Sequence, residues 1–107
     1  MKLFIIRKNG INATAEYDSI AGTFTVLKES VVSEDIAYSE KFRGSLSIKK
    51  QRKDTVTNGV VNKDVIFKSA STAANYVTGS STNGLTAWKT ADKISLKDYL
   101  KEDHADE

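Results

Sequence analysis

Not one of the 107 residues is cysteine. Without thiols a chain this short can be stapled neither by disulfides nor by thiolate-bound zinc, so a hydrophobic core must hold it together. The length supplies one such core. A domain of this size buries roughly two thirds of the surface its unfolded chain exposes, which leaves little room for a deep substrate cavity. Apolar residues at 39% and charged residues at 28% are the balance of a globular chain rather than a disordered one. The missing cysteines favour a reducing compartment. No apolar run nears the ~20 residues of a membrane span, and Leu3–Ile6 falls short of the ~7 of a signal-peptide core. The expectation is a cytoplasmic protein with no membrane partner.

The inventory for catalysis is thin. The single histidine, His104, lies in the acidic C-terminal stretch, so neither a Cys-His nor a Ser-His-Asp arrangement can be built around the core. Glu16, Asp18, Glu34 and Asp35 match no metal-loop spacing and read as surface charge. No enzyme, no cofactor and no metal are therefore expected.

Charge is unevenly distributed. Residues 1–97 carry 15 Lys and Arg against 9 Asp and Glu, a net +6, while residues 98–107 carry one Lys against five acids, a net −4. A basic body with an acidic end suits an anionic partner such as DNA.

Periodicity gives an α+β fold: a small antiparallel sheet of three to five strands with two or three short helices on one face. Lys2–Arg7, Ile11–Tyr17 and Gly22–Lys28 read as a strand meander with a turn at Asp18–Gly22. Ser30–Gly44 reads as a loop. Ser45–Asn58 has helical spacing, with Asn58-Gly59 as its stop. Val65–Phe67 returns to strand composition. Ser69–Thr78 is the clearest helix, with Ser69 as N-cap and Gly79 past its end. Ser80–Gly84 reads as a polar turn, and Ser95 opens a last helix carrying Leu96, Tyr99 and Leu100. Residues 1–101 form one domain, and 102–107 an acidic, frayed tail. The expected core is Phe4, Ile6, Phe24, Val26, Val65, Phe67, Ala74, Val77, Trp88 and Leu100.

The second half carries a pattern. Ile66-Phe67-Lys68-Ser69-Ala70-Ser71-Thr72-Ala73-Ala74 is followed by Val77-Thr78-Gly79, Asn83-Gly84-Leu85 and Ala87-Trp88-Lys89. This resembles a bacterial domain-of-unknown-function family with a Phe-Ser-Ser-Pro-Ser-x-Ala-Ala helix start, a glycine, then Asn-Gly-x-x-x-Trp-Lys. Upstream, Gly22–Ser30 is similar to its strand motif Gly-x-Phe-x-Val-x-x-Gly-Ser, and Arg52 with Asn58-Gly59-Val60 to its Arg-x-x-Leu-x-x-x-Gly-Ile. The resemblance spans about residues 2–100. It implies a domain appended to GIY-YIG nuclease-type proteins, with weaker similarity to domains that accompany adenine methylases and restriction enzymes. The chain departs at Lys68, at Ala70 (proline in the family) and at Glu29 (glycine in the family). The last implies a changed turn. No nuclease motif is present.

Three features could touch a nucleic acid, and each has a structural reading beside it. The Ser69, Ser71 and Thr72 helix start offers free N–H groups and hydroxyls to a phosphate, or is an ordinary cap. Asn83, Trp88 and Lys89 could form a loop with a stacking aromatic, or a turn that fixes Trp88 in the core. Lys49, Lys50, Arg52 and Lys53 could hold phosphates, or be a solvated face; four cations spread around more than half a helix. The leading reading is an accessory nucleic-acid-binding module without catalysis, reading modified or structured DNA beside a nuclease or methylase domain or subunit. The alternative is a protein-docking or scaffolding domain. The oligomeric state is open.

Overall fold

A computed structural model of the chain describes residues 1–36 and 45–105. Four strands make the main sheet: β1 (Lys2–Ile6), β2 (Asn12–Asp18), β3 (Thr23–Val26) and β6 (Val65–Phe67), in the order β1-β2-β3-β6 and antiparallel throughout. Register sets Leu3 against Ala15, Ala15 against Val26 and Val26 against Val65, one inward row across all four strands. Tyr17, Phe24 and Phe67 make the next row. Tyr17 stacks on Phe24 with ring centroids 4.7 Å apart.

β1 corrects the expected core. Leu3 and Ile5 are buried, whereas Phe4 is half-buried and Ile6 is 68% exposed. An unbroken apolar run has no period-2 signal of its own, so its pairing with Ala13 and Ala15 decides the face. Val65 and Leu100 are only partly buried, while Phe24, Val26, Phe67, Ala74, Val77 and Trp88 lie in the core as expected.

Helix α1 (Ser45–Lys53) stops five residues earlier than its spacing suggested. Thr55, Val56 and Thr57 are β-branched and favour extended backbone. Val56–Thr57 becomes β4 and Val60–Val61 becomes β5, joined by Asn58 (φ 53°) and Gly59 (φ 79°). Two left-handed residues in a row make a type I′ hairpin turn, so Asn58-Gly59 reverses a strand rather than ending a helix. The hairpin joins the sheet through Val31, which bridges both Asn12 and Val60. Of the expected Ser30–Gly44 loop, residues 37–44 lie outside the described residues.

Helix α2 (Ala70–Thr78) follows its sequence signals. Ser69 Oγ accepts from the Thr72 N–H at 3.0 Å. Gly79, at φ 71°, donates its N–H to the Asn75 carbonyl. Ala70, Ala73, Ala74 and Val77, at i, i+3, i+4 and i+7, bury one stripe over β3 and β6. Asn83-Gly84 does not end a turn but opens a helical one. Asn83 Oδ1 caps the Leu85 N–H, and α3 (Gly84–Ala87) follows. Ser95 Oγ accepts from Asp98 N–H at the start of α4 (Leu96–Ala105), whose Leu96 is buried. The backbone of α4 runs on to Ala105. The side chains after Lys101 and all of residues 106–107 of the expected acidic tail lie outside the described residues. Among the described residues no helix is long and apolar enough to cross a membrane.

Glu29 sits at φ 79°, a left-handed backbone that glycine adopts without steric penalty. The turn is therefore one that the family's glycine fits, and glutamate has been accommodated in it. Beside it the buried Ser30 hydroxyl accepts from the Thr14 N–H and donates to the Thr14 carbonyl, filling the gap where β3 has ended.

Candidate functional site

The ten residues singled out by sequence separate into three places. Arg52 faces inward and is 8% exposed. Its Nε and Nη2 donate to the Tyr76 carbonyl, at 3.0 and 2.6 Å, and its Nη1 donates to the Ser33 carbonyl at 2.9 Å. A further Nη2 contact reaches the Val77 carbonyl at 3.3 Å. Tyr76 and Val77 belong to the last turn of α2, where carbonyls lack helical partners and carry the negative end of the dipole. Arg52 is thus the C-terminal cap of a neighbouring helix, and its expected phosphate role is withdrawn. Burial pulls its guanidinium below the ordinary pKa, an effect that the Tyr76 phenol beneath it partly offsets.

Turning Arg52 inward sorts the remaining cations. Ile48 is buried beside it, so the outward side of α1 belongs to Lys49, Lys50 and Lys53, all exposed. At 100° per residue these three fall within about a quarter to a third of the helix circumference, because 49 and 53 are i,i+4 neighbours and 50 and 53 are i,i+3. The four-cation run that looked dispersed becomes a three-lysine stripe. No acidic residue occurs in α1. Among the described residues the single ion pair joins the N-terminal amine to Glu16, so none of these lysines is held in an ion pair, while Glu34 lines the same groove as Lys49 and Lys53 and Asp54 follows the helix.

The second place is the N-terminal end of α2. Ser69 Oγ accepts from the Thr72 N–H and donates to Thr72 Oγ1, and Ser71 Oγ accepts from the Gly84 N–H. A Cβ on Gly84 would lie 2.1 Å from the Ala70 carbonyl carbon, so only glycine lets α3 sit against α2. Trp88 is fully buried, and its Nε1–H donates to the Ala70 carbonyl at 3.0 Å. Burying that ring stabilises the fold by on the order of 4 kcal/mol. It offers no face to a base, so the stacking role is withdrawn, and Asn83 uses its side-chain oxygen as a cap. This end of α2 lies about 13 Å of helix from the Arg52 end, so the predicted residues form no single patch.

Lys89 marks the third place. Its backbone exchanges two hydrogen bonds with Phe4, at 2.8 and 3.0 Å, at the outer edge of β1. A groove of about 850 Å³ opens there, lined by Phe4, Ile6, Arg7, Ala87, Lys89 and Lys93 among others, with no carboxylate in its walls among the described residues. Phe4, Arg7 and Lys93 carry no sequence signal for this site. They come from opposite ends of the chain, and only the Phe4–Lys89 bridge brings them together. Elsewhere Asp18 caps its own turn by accepting from Ile20 and Ala21 N–H, while Glu34 and Asp35 are exposed. Among the described residues no three His, Asp or Glu side chains gather into a metal-holding group.

These elements define a two-layer α+β domain whose signature residues, from Phe67 to Trp88, lock α2 against the sheet and α3. The chain belongs to the family described as a domain of unknown function, DUF4357, which matches residues 4–100. No curated protein and no solved structure matches it.

Proposed function

We propose that this domain is an accessory nucleic-acid-binding module without catalysis, working beside a nuclease or methylase activity as the resemblance to restriction-associated domains implies. The observation that supports it is the α1 stripe. Lys49, Lys50 and Lys53 point the same way from a helix that Arg52 anchors to α2, and among the described residues none of them is taken up in an ion pair. Anchored cations release condensed counterions when they meet phosphates, which gives affinity that is steep in salt and indifferent to sequence. With Trp88 buried, its ring offers no stacking face, and Asn83 has its side-chain oxygen engaged as a cap. The reading is therefore of backbone binding.

The test is fluorescence anisotropy of a labelled duplex titrated at several salt concentrations. Each phosphate contact adds about 0.9 to the slope of log affinity against log salt, so Lys49→Ala/Lys50→Ala/Lys53→Ala should flatten it by up to about 2.7. An unchanged slope in a folded triple variant would remove the stripe from the interface. Equal affinity for adenine-methylated and unmodified duplexes is the expected companion result.

A further inference from the structure

The outer edge of β1 is a second surface, separate from α1. In an antiparallel strand the N–H and C=O of one residue point to the same side, and sides alternate along the chain. Arg7 donates to Ile11, inside the hairpin, while Phe4 bonds outward to Lys89. Ile6 therefore points outward as Phe4 does. Asn12, opposite Ile6 in register, already has its N–H and C=O engaged with Val31. Among the described residues the N–H and C=O of Ile6 have no partner. The chain at Lys89 covers the edge only at Phe4 and then swings away through a turn in which Thr90 N–H donates to the Ile94 carbonyl. The groove of about 850 Å³ lies between, within the ~300–1,000 Å³ typical of ligand sites.

We propose that this groove docks an extended acidic peptide segment of a partner protein, which pairs with the Ile6 backbone as an added strand and sets its carboxylates against Arg7, Lys89 and Lys93. Strand addition draws affinity from main-chain hydrogen bonds and specificity from the pockets beside them. Here the half-buried Phe4 ring and Ala87 supply an apolar floor, and the three cations select for charge. A second copy of this chain fits poorly, because edge-to-edge pairing would bring the same cations together. A nucleic-acid strand meets the cations but carries no alternating row of N–H and C=O groups.

The test uses the intact protein and a labelled peptide of about ten residues alternating Val and Glu, long enough to run past the edge at ~3.3 Å per residue. Saturable binding is expected, with the Ile6 amide shifting in NMR spectra and its exchange slowing. Arg7→Glu/Lys93→Glu should weaken binding about tenfold or more. A peptide of the same charge, N-methylated at alternate residues, should lose at least about tenfold against unaltered protein, since it can no longer complete the ladder. Three results would overturn the proposal. The N-methylated peptide could bind as well, making the attraction charge alone. An oligothymidylate of similar length could displace the peptide and shift the same amides. Or no peptide could bind, leaving the cations as guards against edge pairing.

Discussion

Arg52 shows how much one side chain's direction can change the meaning of a motif. In the run Lys49-Lys50-Gln51-Arg52-Lys53 it looks like one cation of four, yet it alone lies against the last turn of a helix whose final carbonyls have no partner within the helix. A bidentate guanidinium can satisfy two groups of that end at once, which an ammonium cannot. Glu29 makes the complementary point. Its left-handed backbone strains a residue with a Cβ by about 1–2 kcal/mol, and part of that is returned when glycine, freer in the unfolded chain, replaces it. Glu29→Gly should therefore raise stability by about 1 kcal/mol, seen as a melting temperature about 4 °C higher. A lower melting temperature would mean that the side chain itself holds the turn.

Among the elements, α2 organises the molecule. Its N-terminal end receives α3 through Ser71, Gly84 and Trp88, its C-terminal end receives α1 through Arg52, and its apolar stripe lies on β3 and β6. The residues that carry the family pattern are the ones that make these joints, so packing accounts for them. Gly84→Ala tests this directly. The new methyl would meet the Ala70 backbone, which cannot yield as a flexible side chain can. A loss of about 3 kcal/mol in chemical denaturation is expected, with anisotropy of a labelled duplex unchanged below the unfolding transition. Loss of DNA binding in a variant that remains folded would restore a ligand role to the Asn83-Gly84 corner.

At the scale of the whole molecule, stability should fall on the alkaline side. Tyr76 is fully buried, and burial raises its pKa above the usual value of about 10, against smaller opposing effects from the Thr55 hydrogen bond and Arg52. The unfolded phenol ionises first as pH rises. The stabilisation from keeping Tyr76 neutral is thus complete below about pH 10 and is lost as pH climbs through the folded-state value. Urea midpoints measured upward from pH 8 should drop above about pH 10, and drop less steeply in Tyr76→Phe, which also starts lower for want of its Thr55 bond. Parallel curves for the two proteins would assign the alkaline loss to other groups.

What the sequence determined by itself was local. The strand composition of Gly22–Lys28 and Val65–Phe67, the Ser69 cap and the Gly79 stop all act within a few residues and were legible as written. The α+β class followed from their order. Asn58-Gly59 and Asn83-Gly84 are legible as punctuation but not in sense, because a left-handed pair or an Asx cap serves either a helix end or a turn until the flanking chain is placed. Only the tertiary structure decided direction. Leu3 and Ile5 face inward instead of Phe4 and Ile6 because pairing with Ala13 and Ala15 sets the register. Arg52 turns into the interior because a partner distant in sequence, Tyr76, offers its carbonyl there. The β1 groove exists because the two ends of the chain meet at Phe4 and Lys89. Where a segment has no period of its own, as in β1 and the cation run of α1, the face a side chain takes depends on long-range packing, and neither composition nor spacing carries that information.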